Sequence, residues 1–434
     1  MASRLKRARS VTVLAAALIM SVGIASPANA TFDAPLDLSS AAQSADQPQV
    51  AVANNGDAVF AWLRSDGSNV RVQTRALTAA GVLSPVQNIS LPGNDASDAR
   101  VAIDADGDSV FTWHRSDDSI QTRARTAAGQ LSAVQQVSPA GQDAEFPELA
   151  VDNAGDAVYA WQVTSGGTGW IQTRTRTAAG SFGATQDLFS PLAQGFFQHQ
   201  VAVDADGDAV FAWLAFDGTN FSIQARALSK AGLLANIQTI SPAGEDGSAP
   251  QLAIDAAGDA VLTWVVQDQL VDRVQARART AAGLLSPVQT LSDAGRDADL
   301  PQVAVDRDGD AVIAWLRSDG TNERTQALTR SSTGTLGPDL TLSLQGQRAA
   351  QPQVDVGPAG GGVVAWQQTF GSYTVIQARR LTTSGALSAT QILSEDDGES
   401  SATFAQAGFA GGNAAVVWRR SDDTSDAIQG AIGP

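Results

Sequence analysis

Eight tryptophans recur along this chain at an almost constant spacing, and this period restricts the possible folds more than any other feature. They are 48 to 52 residues apart and lie at Trp62, Trp113, Trp161, Trp213, Trp264, Trp315, Trp366 and Trp418. Each ends a similar stretch, for which residues 201–213 (VAVDADGDAVFAW) serve as the model. A chain of 434 residues would ordinarily suggest two or three domains, but a fixed period indicates one body of stacked units.

Each repeat contains four short strand-like runs, which we call strands a to d. In the fourth copy they cover residues 200–203, 209–213, 222–228 and 236–240, and turn residues separate them. The link between strands a and b reads Asp-x-x-Gly, which predicts a type I turn with the glycine in the left-handed conformation. Four antiparallel strands in each of eight repeats predict an all-β fold, an eight-bladed β-propeller.

The two ends of the chain predict how the ring closes. Residues 34–39 resemble a strand d with no strands before it, whereas the last copy stops after its strand c at residues 428–431. We therefore expect the first strand to complete the last blade, which would consist of residues 31–40 and about 402–434. Residues 31–434 would form a single propeller domain, with the repeated tryptophans packed between blades.

The N-terminal residues 1–30 have the pattern of a secretory signal peptide. Four basic residues precede a largely apolar run at 11–24, and Ala28-Asn29-Ala30 fits a cleavage site. This predicts a secreted, extracellular protein. No second long apolar run follows, so we expect no membrane span.

Charge and cysteine content exclude several kinds of function. The formal net charge is −17, and removal of residues 1–30 lowers it to −21, because the segment contains four basic residues and no acidic one. Such a charge argues against nucleic acid and against anionic membranes. The absence of cysteine excludes disulfides, thiolate metal sites and a cysteine nucleophile.

Three of the turns between strands a and b carry three aspartates within five residues. These residues are Asp104, Asp106, Asp108, Asp204, Asp206, Asp208, Asp306, Asp308 and Asp310. Calcium favours such oxygen-rich loops, which makes it the one cofactor to consider. The glycine, however, precedes the third aspartate, unlike in the known calcium loop, and other copies keep the turn with fewer carboxylates. We therefore favour a turn-forming role over a metal site.

A Gln-x-Arg pair recurs in strand c, for example at Gln275 and Arg277. Residues two apart share one face of a strand, so the pair is expected to bond to a neighbouring strand or to a turn carboxylate. A ring of guanidinium groups that binds a ligand is the alternative.

A binding or catalytic site should break the repeat symmetry, and the junction of the third and fourth copies does so most clearly. It is rich in aromatic residues, of which we consider five as candidate ligand-binding residues: Trp170, Phe196, Phe197, His199 and Phe216. They could stack on a sugar ring or anchor a protein. They could equally fill a gap beside an irregular linker.

No catalytic residue can be singled out. The chain has only two histidines, His114 and His199, which do not suggest a Ser-His-Asp set, and no pair of its many carboxylates stands out for glycoside hydrolysis.

The motif Val-Asp-x-x-Gly-Asp-Ala-Val-x-x-Trp followed by Ile-Gln-x-Arg resembles secreted bacterial β-propeller repeat proteins across residues 31–434. The resemblance implies the fold and no particular activity. We expect a monomeric, non-enzymatic recognition module that engages a protein or glycan at the cell envelope. The longer b–c turns and d–a links would form its binding face. A polysaccharide hydrolase or lyase with a site near blades three and four, or a purely structural surface protein, are the alternatives.

Overall fold

The structure is a computed structural model. It describes residues 31–40, 44–189, 192–193, 198–268, 271–382, 386–398, 400–422 and 425–433. The predicted signal peptide at residues 1–30 lies outside the described residues.

The described residues form eight antiparallel sheets and no helix. Each sheet is one blade, with its four strands in the order a, b, c, d, and in blade three a short strand Leu192–Ala193 also pairs with strand c. The strands of blades one to four are Ala45–Val52, Ala58–Ser65, Val70–Leu77, Gln87–Asn88; Ala96–Ile103, Ser109–Arg115, Ser119–Arg125, Gln135–Gln136; Asp143–Val151, Ala157–Ser165, Thr168–Arg176, Gln186–Asp187; and Gln200–Val203, Ala209–Phe216, Phe221–Leu228, Gln238–Thr239. Those of blades five to eight are Asp246–Ile254, Ala260–Asp268, Val271–Arg279, Gln289–Thr290; Ala298–Val305, Ala311–Ser318, Glu323–Arg330, Leu340–Thr341; Ala349–Val356, Gly362–Phe370, Tyr373–Leu381, Gln391–Ile392; and Ser401–Ala410, Asn413–Ser421, Asp426–Gly433, Leu36–Asp37.

The blades are arranged in a closed ring. Strand a of every blade contacts strand a of the next, and strand a of blade eight contacts strand a of blade one. Strand a is therefore the innermost strand and strand d the outermost. This confirms the predicted eight-bladed β-propeller.

The N-terminal strand closes the ring by completing blade eight. Leu36 pairs with Gly430 and Asp37 pairs with Gln429. The side chain of Leu38 is fully buried in the core between blades eight and one. The closure predicted from the two chain ends is confirmed.

The eight repeated tryptophans are fully buried. Trp264, for example, packs against Ala212, Ile223 and Ile240 of blade four, although it belongs to blade five itself. Each large indole therefore fills the space between two neighbouring sheets, as expected for the main source of apolar burial in this fold.

The glycine of the a–b turn has two structural reasons to be glycine. Gly258 has φ +87°, a left-handed conformation that L side chains rarely adopt. A Cβ at this position would also lie 2.9 Å from Oδ2 of Asp204, the first turn aspartate of the preceding blade. The same close approach joins Asp104 to Gly155, so these turns pack blade against blade.

Strand d is shorter than the sequence suggested. In blade four it covers only Gln238–Thr239 instead of residues 236–240, and a separate bridge joins Leu228 to Leu234. This strand pairs along one edge only and lies at the perimeter, where Ile237 is exposed, whereas Ile240 just beyond its end is fully buried and still donates its N–H to the carbonyl of Ile223 at 2.8 Å.

Candidate binding face

Among the described residues, a β-bulge interrupts strand a in every blade except blade four, where residues 194–197 before strand a lie outside the described ranges. At each bulge the register to strand b shifts, and one residue other than glycine adopts a φ between +47° and +55°. We call these residues the bulge ring: Gln47, Asp98, Phe146, Ala249, Leu300, Gln351 and Phe404. A bulge re-aims a side chain, and the left-handed conformation is costly for residues with a Cβ. Sequence analysis missed the bulges, because nothing marks them in the pattern of strand a except a frequent following proline.

The bulge ring lies on the face formed by the b–c turns and d–a links, since each bulge is near the start of strand a. Three of its members are large apolar residues with exposed side chains: Phe146 at 48%, Leu300 at 41% and Phe404 at 42%. The backbone shape is the same in all seven blades, whereas the side chains differ. This is the face on which the sequence predicted the binding surface.

The face contains a cleft of about 580 Å³ between blades six and seven, which we call the 6/7 cleft. Its volume falls within the range of small-molecule binding sites. Two members of the bulge ring line it, together with charged and amide side chains. The residues that matter here are Asp299, Leu300, Arg317, Glu323, Arg348, Ala350, Gln351 and Gln367.

One of the residues lining this cleft is smaller than its equivalents in the other blades. The last residue paired before the bulge is Ala350 in blade seven. The other bulged blades carry a polar side chain there, namely Asp46, Ser97, Glu145, Ser248, Asp299 and Thr403. Ala350 is therefore the smallest of these seven side chains and the one without a polar group.

The contact between blades six and seven also differs from its equivalents. In three other blades an aspartate at or just before the start of strand a accepts a backbone N–H from strand c of the preceding blade. The pairs are Asp95 with Val70 at 2.8 Å, Asp246 with Phe221 at 2.8 Å, and Asp297 with Asp272 at 3.1 Å. In blade seven this position is Arg348, whose Nε donates to Oε2 of Glu323 at 2.7 Å. Sequence analysis missed this break in symmetry, although aligning Arg348 with the aspartates would have revealed it.

The predicted aromatic cluster is only partly within the described residues. Trp170 is half-buried and packs on the core between blades three and four, and His199 is buried at the position that proline occupies in five other blades. Phe216 contacts Phe221, with ring centroids 4.9 Å apart. Phe196 and Phe197 lie outside the described residues. A ligand-binding role for this group stays a prediction.

The turn aspartates have backbone partners that explain their recurrence. Oδ1 of Asp204 accepts the N–H groups of residues 206, 207 and 208, each at 2.9 Å, and Asp104 and Asp306 each accept two in the same way. Burial raises the pKa of Asp104, Asp204 and Asp306. The third aspartates, Asp108, Asp208 and Asp310, accept an N–H of the c–d turn at 2.7–2.8 Å.

These bonds support the turn-forming role for the aspartates. Within the described ranges, no three carboxylate or imidazole side chains come together as metal ligands would. Calcium binding by the nine aspartates, including the middle residues Asp106, Asp206 and Asp308, stays a prediction.

The strand c arginines join blades at the perimeter. Arg277 donates from Nε to the carbonyl of Ser286 at 2.7 Å, and from Nη1 to the carbonyl of Ile240 in the preceding blade at 2.9 Å. Arg75, Arg123, Arg174 and Arg226 bond in the same way. The structural interpretation of the Gln-x-Arg pair is confirmed, with carbonyl oxygens as the acceptors.

The structure brings together a serine, a histidine and an aspartate that sequence analysis did not connect. Oγ of Ser97 lies 3.0 Å from Nδ1 of His114 and 2.9 Å from Oδ2 of Asp98. A hydroxyl has only one proton. When the Ser97 hydroxyl donates this proton to the carboxylate of Asp98, Nδ1–H of His114 must be the donor in its own bond to the oxygen of Ser97. In a catalytic triad the histidine lies between the other two residues and accepts the serine proton. This group is therefore not arranged for nucleophilic attack.

Asp355, at the contact between blades seven and eight, predicts a pH-dependent stability. Its carboxylate accepts the N–H of Phe409 at 2.6 Å and that of Val356 at 2.9 Å, and burial raises its pKa from 3.8 to about 6. The folded state then binds the proton more tightly than the unfolded state. The resulting stabilisation is fully present below pH 3.8 and is lost as the pH rises through about 6.

We expect the free energy of unfolding of the wild type, relative to Asp355→Asn, to decrease between pH 4 and pH 7 by at most ~3 kcal/mol. Urea unfolding of both proteins at several pH values measures this difference. A difference that does not change with pH would contradict the assignment to Asp355.

The chain is thus an eight-bladed β-propeller in which the residues of the bulge ring share one backbone conformation but differ in side chain. No protein-family model matches the chain, and no curated protein matches it significantly. Among solved structures, the chain is similar to the BP39L lectin from Burkholderia pseudomallei, with 13% identity and a TM-score of 0.52, over 82% of this chain and 100% of the lectin. It is also similar to the polysaccharide lyase Uly1, with 10% identity and a TM-score of 0.51, over 77% of this chain and 89% of the lyase. At these identities the similarity shows the fold alone. In the part of the chain that the structure describes, no helix has the length and hydropathy to cross a membrane.

Proposed function

We propose that this protein is an exported, non-enzymatic recognition propeller that binds a glycan at the cell envelope through the bulge ring and the turns around it. The observation that carries the proposal is the bulge ring. The basic and apolar segment at residues 4–24 supports export. A protein ligand is the alternative that the experiment below separates.

The energetics of the bulge ring favour a role for its side chains. A residue with a Cβ in a left-handed conformation costs about 1 kcal/mol or more, and glycine would supply the same backbone shape without this cost. None of the seven positions is glycine. Their side chains vary from glutamine to phenylalanine, so the scaffold does not require a particular one. Recognition of a ligand explains why strained and variable side chains, four of them exposed and three half-buried, are kept at a fixed place.

Of the two solved structures compared above, one is a lectin and the other is a polysaccharide lyase. Because the likeness concerns the fold alone, it is compatible with a glycan ligand without indicating one. For an enzyme, we would need an acid and a base facing one cavity, and the Ser97 group does not provide them.

The test uses binding of the purified protein to immobilised polysaccharides and envelope proteins, with two triple variants. Phe146→Ala/Leu300→Ala/Phe404→Ala removes the exposed apolar side chains of the bulge ring. The matched control removes exposed apolar residues of the c–d turns on the opposite face: Val82→Ala/Leu233→Ala/Leu284→Ala. We expect saturable polysaccharide binding that the first variant weakens and the control keeps. Binding to proteins only, equal loss in both variants, or release of reducing ends would overturn the proposal.

A further inference from the structure

We propose that the 6/7 cleft is the sugar-binding subsite of this face and that it takes a neutral, hydroxyl-rich saccharide. The inference rests on the proposed function and specifies where the ligand binds and what its charge is.

The shape of the 6/7 cleft suits a sugar. Ala350 lines the cleft at a position where the other bulged blades carry a polar residue, and the cleft volume of about 580 Å³ lies within the range of small-molecule sites. The bulge residues Leu300 and Gln351 line it, one from each blade. Leu300 offers an exposed apolar surface against which the carbon face of a sugar can pack.

The 6/7 cleft also contains hydrogen-bonding groups that a sugar can use. Glu323 and Arg348 form an ion pair whose side chains are still 43% and 62% exposed, so both retain unused acceptors and donors toward solvent. The amides of Gln351 and Gln367 bond to each other and add a further donor and acceptor. A sugar hydroxyl both donates and accepts, and neighbouring hydroxyls match carboxylates, guanidinium groups and amides placed side by side.

The charge of the 6/7 cleft favours a neutral ligand. The cleft combines three carboxylates, Asp297, Asp299 and Glu323, with two guanidinium groups, Arg317 and Arg348. Its local charge is therefore slightly negative, and the whole chain has a net charge of −17. A polyanion such as a uronic-acid polymer would be repelled, whereas a neutral sugar meets no electrostatic barrier.

The experiment is isothermal titration calorimetry of the purified protein with oligosaccharides of dextran, mannan and xyloglucan, and with oligomers of alginate and polygalacturonate. Ala350→Leu fills part of the cleft without adding a hydrogen-bonding group or an aromatic ring. Ser248→Leu is the matched control, because it places the same side chain at the equivalent position of blade five. A double variant, Glu323→Gln/Arg348→Gln, removes both charges with little change in volume.

We expect at least one neutral oligosaccharide to bind, with about tenfold weaker affinity in Ala350→Leu and in the double variant, and unchanged affinity in Ser248→Leu. If Ala350→Leu is not folded by circular dichroism, the double variant decides. Neutral-sugar binding that both cleft variants keep would overturn the subsite while the proposed function stands. Preferential binding of the anionic oligomers would overturn the neutral class. Absence of binding to any polysaccharide, immobilised or soluble, would overturn the proposed function as well.

Discussion

Removal of residues 31–40 is expected to destabilise the propeller more than any other small change. The deletion exposes the outer edge of strand Asp426–Gly433 and removes the segment that fastens the N-terminus to blade eight, which leaves only the packing between blades eight and one to hold the ring closed. We expect a strongly lowered melting temperature and association at high protein concentration, because an unpaired edge strand pairs with other chains.

The size of the effect follows from what the segment buries. Leu38 is fully buried beside Phe60 and Trp62, and Phe32 is 6% exposed beside Trp418. Losing these two side chains alone removes roughly 5 kcal/mol of apolar burial. Ser39 also accepts the N–H of Ile428 at 2.8 Å, and this buried donor loses its partner. A typical domain has a stability of only about 5–15 kcal/mol.

Thermal unfolding and light scattering of the shortened protein measure both expectations. A synthetic peptide of residues 31–40, added in excess, should restore the melting temperature by pairing with the open edge. The variant Leu36→Ala is the control, because Leu36 is exposed at 37% and should matter little. An unchanged melting temperature after the deletion would show that the segment does not close the ring.

Replacing one of the eight repeated tryptophans is expected to have the largest effect of any single substitution, and Trp264→Ala is the example. The indole of Trp264 is fully buried between blades four and five, and replacing it with alanine leaves a cavity that neighbouring sheets cannot fill without moving together. We expect a loss of about 3–5 kcal/mol in the free energy of unfolding, measured in urea.

Trp170 provides a matched control, since it is the ninth tryptophan and lies outside the repeat pattern. It is half-buried, so Trp170→Ala should cost clearly less than Trp264→Ala. Equal losses in the two variants would mean that the repeated tryptophans have no special part in blade packing.

The features that could be predicted from sequence are those that every repeat needs. A tryptophan every 48 to 52 residues indicates a core position between sheets. The sequence Asp204-Ala205-Asp206-Gly207 indicates a turn whose glycine adopts the left-handed conformation. The unfinished last repeat and the isolated first strand indicated ring closure, because strand edges need partners.

The features that were missed depend on the relation between neighbouring blades. An alanine such as Ala350 is unremarkable within its own strand. Its relation to a cleft becomes visible only when Leu316 and Arg317 of blade six are seen to line the same space. The side chain of Arg348 contacts Glu323, 25 residues earlier, in place of an aspartate-to-backbone bond. The aromatic residues at blades three and four are conspicuous in the sequence, whereas the altered contact between blades six and seven involves residues of ordinary type.

The eight blades form a closed ring, and an engineered disulfide between the N-terminal strand and blade eight tests this closure most directly. Asp37 and Gln429 lie opposite each other, and their side chains bond at 3.0 Å. The chain contains no cysteine, so Asp37→Cys/Gln429→Cys has a single possible disulfide within one molecule. Asp37→Cys/Gln377→Cys is the control, because Gln377 is the equivalent residue of strand c in blade seven. Mass spectrometry of the oxidised proteins should find residues 37 and 429 joined within one monomer and the control reduced. Free thiols in both proteins, or disulfides only between molecules, would contradict the closed ring.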